Sequence, residues 1–121
     1  MATGVEIVSD LVDKWNAHDL DASYAHLAED YREYINGKLV KVGRAEARAA
    51  DEPLYEATPD YSRTVEELWG VDDRGVGRFV GRGTMANGSK LEVPFVCIYG
   101  IRGGHISEGH LYLDSAAVTT E

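Results

Sequence analysis

Three residues on one face of a predicted strand have the right types for acid/base chemistry. The segment Tyr31-Arg32-Glu33-Tyr34-Ile35 alternates, so Tyr31, Glu33 and Ile35 share one strand face. A carboxylate placed against aromatic rings loses solvation and becomes suited to proton transfer near neutral pH. A neighbouring phenol can donate a hydrogen bond to an oxyanion. The pattern therefore predicts Glu33 and Tyr31 as a catalytic pair, with a wet, structural Glu33 at the rim of the fold as the alternative.

A second polar set lies near the end of the chain. One face of the last predicted strand carries Glu108, His110, Tyr112 and Asp114, and the other carries Gly109, Leu111 and Leu113. A histidine and a carboxylate on one face can share a proton, so His110 and Asp114 form a reserve catalytic relay. Such a face is also ordinary interface material, so the residues alone leave both interpretations open. A one-residue slip in register would exchange the two faces.

The remaining polar residues predict less chemistry. Arg78 and Arg82 share a strand face, where they can bind a ligand carboxylate or pair with Glu66, Glu67 or Glu92 on neighbouring strands. The pairing is the more common outcome. Cys97 is the only cysteine, which excludes an internal disulfide, and its apolar neighbours are typical of a buried small hydrophobe. No histidine or cysteine spacing predicts a metal site, and no glycine-rich loop predicts a nucleotide.

Composition narrows the class of protein. The 121 residues suit one domain, spanning 1–121, with 44% hydrophobic and 27% charged residues. The formal net charge of −9 disfavours nucleic acid and anionic membranes as partners. The N-terminus enters an acidic amphipathic segment without the features of a signal peptide, and no apolar run approaches membrane-spanning length. These features predict a cytoplasmic protein.

The elements that must position these residues follow from periodicity and turn signals. Thr3 and Glu6 have capping-box spacing ahead of a helix that ends near Asn16. Asp19 caps a shorter helix, whose apolar face includes Leu20, Tyr24, Leu27 and Ala28. A hairpin turning at Asn36-Gly37 follows, then an alanine-rich third helix over 44–51 that Pro53 ends or kinks. The rest predicts a four-strand antiparallel meander over 61–71, 76–85, 91–101 and 105–114. Helices segregated from such a sheet indicate an α+β fold.

This order of elements and several short motifs resemble the SnoaL-like polyketide cyclases. These belong to the nuclear transport factor 2-like superfamily, together with ketosteroid isomerases, scytalone dehydratase and limonene epoxide hydrolase. The resemblance covers nearly the whole chain. The motifs that carry it are Trp15-Asn16-Ala17-His18-Asp19, Ala28-Glu29-Asp30-Tyr31, Gly43 before the third helix, Pro59-Asp60, Arg82-Gly83-Thr84, Gly104-His105-Ile106 and Tyr112-Leu113-Asp114.

The resemblance implies a cone-shaped curved sheet, antiparallel or mixed, with three helices over a pocket. It also implies dimerisation through the outer sheet face, and we therefore favour the interface interpretation of the face that carries His110. It further implies catalysis without a metal or organic cofactor. In such enzymes a pocket carboxylate moves a proton beside a carbonyl, or activates water on an epoxide. A second polar group stabilises the oxyanion.

The chain departs from the family at the acid/base positions. Leu111 stands where the cyclases have their aspartate, and Cys97 stands where they have the partner histidine. Ile35 stands where ketosteroid isomerases have their base. Trp15 keeps the aromatic residue that lines the pocket. The resemblance therefore makes Trp15, Ile35, Cys97 and Leu111 the substrate-binding candidates, and it puts Glu33 beside Ile35 in the pocket.

These observations favour a cofactor-independent enzyme of small-molecule metabolism. It would cyclise, isomerise or dehydrate an apolar substrate bearing a carbonyl or epoxide. The alternative is a non-catalytic relative that binds an apolar ligand or serves as an accessory subunit. Loss of both cyclase residues favours the alternative, whereas Glu33 with Tyr31 and Trp15 favours the enzyme.

Overall fold

Residues 3–114 are described by a computed structural model. The elements follow in the order α1 (Gly4–Asn16), α2 (Leu20–Tyr24), β1 (Leu27–Ile35), β2 (Lys38–Val42), α3 (Arg44–Ala57), β3 (Ser62–Val71), β4 (Arg74–Thr84), β5 (Lys90–Arg102) and β6 (His105–Leu113). The predicted α+β architecture is confirmed, with the helices on one side of a curved open sheet. The sheet order is β2-β1-β6-β5-β4-β3. The meander is antiparallel, and β1 joins it by running parallel to β6.

Local sequence signals place the first helices. Thr3 and Glu6 form the predicted capping box, in which the Thr3 hydroxyl accepts from the Glu6 amide and the Glu6 carboxylate accepts from the Thr3 amide. The Asp19 carboxylate accepts a hydrogen bond from the Ala22 amide and caps α2. The apolar stripe of α1 lies against the inner face of the sheet. It consists of Ile7, Val8, Leu11, Val12 and Trp15.

The second helix is shorter than its apolar face predicts. It ends at Tyr24, and Leu27 and Ala28 instead begin β1. The reason is tertiary: Leu27 pairs with Ile106 of β6, whose amide donates to the His26 carbonyl. Pairing with a strand far along the chain therefore outweighs the helix that the local apolar pattern predicts.

The predicted hairpin turns at Asn36 and Gly37. Both residues have positive φ, 50° and 85°, which is the conformation of a tight two-residue turn. The Asn36 backbone amide donates to the Leu111 carbonyl. The Asn36 side chain donates from Nδ2 to the Leu113 carbonyl and accepts from the Leu113 amide at Oδ1. The turn therefore also ties the hairpin to β6.

Pro53 neither ends α3 nor shortens it. The helix continues through Pro53 to Ala57, contrary to the predicted end near residue 51. The extra turn is stabilised by packing, because Leu54 and Tyr55 pack against the core and the Tyr55 hydroxyl donates to the Trp15 carbonyl. These contacts offset the roughly 3 kcal/mol cost of an interior proline.

The described part of the chain shows no helix long and apolar enough to cross a membrane. The longest described helix, α3, has 14 residues.

Candidate active site

A small cavity lies between the helices and the inner face of the sheet. Its volume is about 50 Å³. That is room for roughly three to five water molecules, whereas the pockets that bind drug-sized ligands have volumes of about 300–1,000 Å³. The apolar part of the wall includes Leu11, Trp15, Leu27, Phe95 and Leu111, and the polar part includes Glu33, Lys41, Asp51, Arg63 and Tyr99. Because of this small volume, the cavity has room only for the reacting end of a ligand. A whole drug-sized ligand would enter only if the walls moved apart.

Glu33 is held in this wall by two neighbours. The Tyr31 hydroxyl donates to Glu33 Oε1 over 3.0 Å, which the i, i+2 spacing along β1 makes possible. Lys41 Nζ lies 3.0 Å from Glu33 Oε2, and the two residues are cross-strand partners in the β1–β2 pair. Their side chains are only 13% and 17% exposed. Glu33 is therefore hydrogen-bonded and ion-paired in the cavity wall, rather than surrounded by rings alone.

Lys41 connects Glu33 to a second carboxylate, Asp51 of α3. Its Nζ lies 3.3 Å from Asp51 Oδ1, and the Asp51 side chain is 14% exposed. Burial raises the pKa of Asp51, and this is opposed in part by the charge of Arg63 and by the nearby indole N–H of Trp15. The site therefore holds two carboxylates in different environments on either side of one ammonium group.

Arg63 completes the polar wall from β3. Its guanidinium lies 4.1 Å above the centre of the Trp15 ring, a cation–π contact. The Asn16 side chain fixes the backbone beneath it, since Asn16 Nδ2 donates to the Arg63 carbonyl at 2.8 Å and the Arg63 amide donates to Asn16 Oδ1 at 2.9 Å. Residues from α1 thus position a β3 side chain 47 positions away.

Tyr31 and Cys97 lie deeper in the same core. Burial raises the pKa of Tyr31 well above its usual value, with the charge of Glu33 adding to the effect. Burial likewise raises the pKa of the Cys97 thiol to about 12, so the thiol stays protonated at neutral pH. Cys97 has no exposed surface, as expected of a small buried hydrophobe.

The predicted site residues fall into two groups. Trp15, Tyr31, Glu33 and Leu111 all line the cavity. Cys97 is buried behind the wall, and Ile35 lies beside Leu111 in the β1–β6 pair without lining the cavity. The hydrogen of the Tyr31 hydroxyl is already donated to Glu33, so it is not free for an oxyanion.

The reserve relay lies on the other side of the sheet. His110 stacks on Tyr34 with ring centres 4.6 Å apart, and its Nε2 lies 3.4 Å from Glu108 Oε1. Tyr112 is 47% exposed on the same outer face, and Asp114 follows the end of β6. His110 and Tyr112 thus point away from the cavity.

The outer-face arginines pair with acids on neighbouring strands. Arg78 Nε lies 3.4 Å from Glu67 Oε1, and Arg82 Nε lies 2.9 Å from Glu92 Oε2. This is the pairing that the sequence favours over ligand binding. Among residues 3–114, no group of three histidine, cysteine or acidic side chains is placed to hold a metal ion.

Sequence reasoning missed Lys41, Asp51 and Arg63. An unbroken hairpin around Asn36-Gly37 would pair Glu33 with Val40, but an irregularity between Glu33 and Tyr34 shifts the partner to Lys41. The alanine-rich pattern predicts a helix that includes Asp51, but it does not show which side of that helix is buried. A helical projection from the buried Ala47 would have put Asp51, four positions on, on the same face.

Comparison with known proteins agrees with this fold. The family model of the SnoaL-like polyketide cyclases matches residues 5–121. No curated protein matches the sequence. Three solved structures resemble this chain in fold. A nuclear transport factor 2-like protein of unknown function from Burkholderia pseudomallei is 20% identical, with a TM-score of 0.84 and coverage of 99% of this chain and 100% of that one.

The other two structures come from different bacteria. A protein assigned to the SnoaL-like polyketide cyclases from Jannaschia sp. is 22% identical, with a TM-score of 0.83 and coverage of 99% of this chain and 94% of that one. A protein with a ketosteroid isomerase-like fold from Catenulispora acidiphila, solved with trimethylamine, is 18% identical. Its TM-score is 0.81, with coverage of 97% of this chain and 91% of that one.

Proposed function

Because the chain belongs to the SnoaL-like polyketide cyclase family, we propose that it is a cofactor-independent enzyme that moves a proton on an apolar substrate bearing a carbonyl or an epoxide. The family and the fold support the broader conclusion that this is a small-molecule enzyme or binding protein. Cyclisation, isomerisation and dehydration are the reaction types that such a proton transfer serves. The observation that carries the proposal is the Glu33 carboxylate in the wall of the cavity, where Tyr31 and Lys41 hold it in place.

Glu33 is the proton-transfer group in this proposal. It takes over the task that the family's aspartate performs, since Leu111 occupies that position and presents only hydrocarbon to the cavity. The Tyr31 hydrogen bond and the Lys41 ion pair orient the carboxylate toward the cavity. A positioned base of this kind contributes about 10²–10⁴-fold in rate.

Hydrogen–deuterium exchange tests the proposal without the natural substrate. Small cyclic and aromatic ketones are incubated with the protein in D₂O, and loss of the proton beside the carbonyl is followed by NMR. We expect the wild type to catalyse exchange and Glu33→Gln to lose about 10²–10⁴-fold of it. Glu92→Gln is the matched control, because Glu92 pairs with Arg82 on the outer face and is 64% exposed.

Two results contradict the proposal in different ways. Equal exchange by wild type and Glu33→Gln, with unchanged thermal melting, removes Glu33 from the mechanism. Ketone binding without exchange by the wild type, together with no turnover of epoxides, favours the binding-protein alternative.

We also propose that the protein forms a homodimer through the outer sheet face. One row of paired residues crosses five strands there: Trp69, Val76, Ile98, His110 and Tyr34. Trp69 is 48% exposed and Tyr112, in the adjoining row, is 47% exposed. A continuous apolar stripe of this kind is typical of a surface that a partner covers. Ion pairs such as Arg74 with Glu108 flank the stripe and supply a polar border.

A further inference from the structure

The cavity wall carries four charged side chains, and their formal charges sum to zero. Glu33 and Asp51 are the two acids, and Lys41 and Arg63 are the two bases. The other lining residues are apolar or aromatic, and burial raises the pKa of the Tyr31 phenol well above its usual value. The wall as a whole is therefore electrically neutral at neutral pH.

Each cation in the wall is balanced by a carboxylate. Lys41 Nζ lies 3.0 Å from Glu33 Oε2 and 3.3 Å from Asp51 Oδ1. Burial raises the pKa of Asp51, and the charge of Arg63 and a hydrogen bond from the Trp15 indole oppose this rise. Asp51 is thus shared between the two cations, and the wall leaves no excess charge for a charged ligand to neutralise.

A charged ligand would disturb this balance in a place that water screens poorly. The side chains of Glu33, Lys41 and Asp51 are all mostly buried. An anion would leave one excess negative charge among these groups, and a cation would leave one excess positive charge. An uncompensated charge in such a setting is strongly unfavourable, whereas an uncharged ligand leaves the balance intact.

The wall nevertheless keeps hydrogen-bonding capacity of both kinds. The Nε of Arg63 is buried, and no described residue accepts a hydrogen bond from it. Buried donors are nearly always paired, so this N–H points to an acceptor on a ligand or a water molecule. An ionised carboxylate has about four lone-pair sites, and Glu33 uses two of its sites for Tyr31 and Lys41. A ligand group that both accepts and donates meets the needs of both sides.

We propose that this cavity selects the uncharged polar end of a ligand, a carboxamide or hydroxyl group that accepts from Arg63 and donates to Glu33, and that it excludes carboxylates and ammonium groups. This rests on the proposed function, because it takes the same cavity as the ligand site. It narrows the substrate class, since any charged group of the substrate must lie outside the cavity.

The test compares probes that share one planar skeleton and differ in charge. Acetamide is neutral, acetate is an anion and acetamidinium is a cation. The chain has two tryptophans, so ¹⁵N labelling gives two indole N–H signals. Trp15 reports on the cavity, and Trp69, exposed on the outer face, is the internal control.

The titrations are made at constant ionic strength and about pH 8, where carboxylates are ionised. We expect acetamide to shift the Trp15 signal saturably and to leave the Trp69 signal unchanged. Acetate and acetamidinium should each bind at least about tenfold more weakly, because each brings an unbalanced charge into the wall. Acetone, which accepts hydrogen bonds but donates none, should also bind more weakly than acetamide.

Removing one charge from the wall should change which probe binds best. Asp51→Asn keeps the shape of the side chain but leaves the wall with one excess positive charge, so acetate should then bind more tightly than acetamide. Asp30→Asn is the matched control, because Asp30 pairs with Arg102 and its side chain is 71% exposed. This control should keep the probe preference of the wild type.

The proposal is overturned if the wild type binds acetate or acetamidinium as tightly as acetamide, or binds none of the probes. A folded Asp51→Asn that still prefers acetamide would also overturn it. The wild-type titrations need no variant to fold. They measure binding alone, so a preference for acetamide without ketone exchange would refute the proposed proton transfer and leave this inference standing.

Discussion

The Tyr31 hydroxyl and the Glu33 carboxylate are joined by a hydrogen bond of 3.0 Å along one face of β1. Gly109 on the neighbouring strand leaves room for it, because a Cβ at that position would lie 2.5 Å from the Tyr31 hydroxyl oxygen. The phenol is therefore confined to the space from which it reaches Glu33. This contact assigns Tyr31 to positioning the carboxylate.

Removing that hydroxyl should reduce proton transfer without abolishing it. In Tyr31→Phe the ring still fills the core, but Glu33 keeps only its Lys41 contact. We expect exchange of ketone protons to fall about tenfold, a smaller loss than in Glu33→Gln, because one hydrogen bond to a charged group is lost. The comparison of kcat with KM should place the effect in kcat. Tyr34→Phe, on the outer face against His110, is the control, and an equal loss there would contradict the assignment.

Lys41 holds two mostly buried carboxylates together, so its loss should destabilise the fold. Lys41→Met leaves Glu33 and Asp51 without their shared cation, and breaking a buried ion pair from one side costs about 3–5 kcal/mol. Urea unfolding measures this loss of stability. Lys38→Met in the same strand is the control because Lys38 is exposed. Adding Glu33→Gln to Lys41→Met should restore part of the stability, and an unchanged free energy of unfolding in Lys41→Met would contradict the expectation.

Asp51 should make stability depend on pH. Burial raises its pKa in the folded state above the unfolded value, so the folded state holds the proton more tightly. The stability that Asp51 contributes is thus fully present below the unfolded pKa and is lost as the pH rises through the folded pKa. Asp51→Asn stays neutral throughout. The melting temperature of Asp51→Asn should therefore rise relative to that of the wild type as the pH rises above about 4. A fall of the variant's melting temperature relative to the wild type over the same pH range would contradict the assignment.

Disrupting the outer face should separate the proposed dimer. Ile98→Glu puts a charge in the middle of the apolar row, where two copies would meet. We expect light scattering to give the dimer mass for the wild type and the monomer mass for Ile98→Glu. Val65→Glu is the control, since Val65 is similarly exposed at 39% but pairs with Phe79 of the inner face. A monomeric wild type at micromolar concentration would contradict the proposal.

The order of the elements, and the faces of several of them, can be predicted from local sequence signals. The capping box at Thr3 and Glu6, the Asp19 cap and the turn at Asn36-Gly37 act through hydrogen bonds and backbone preferences within a few residues. Local signals of this kind can be read from sequence because they do not depend on distant neighbours. The alternation of β1 likewise placed Tyr31 and Glu33 on one face, where the structure joins them.

Which charges meet in the cavity depends on contacts between elements that are distant in sequence. A local irregularity in β1–β2 pairing brings Lys41 to Glu33, and core packing carries α3 through Pro53. Arg63 reaches Trp15 because the Asn16 side chain binds a strand 47 residues away. Such contacts depend on the register and on packing between elements distant in sequence. Local periodicity does not encode them, because their energies exist only once the helices lie on the sheet.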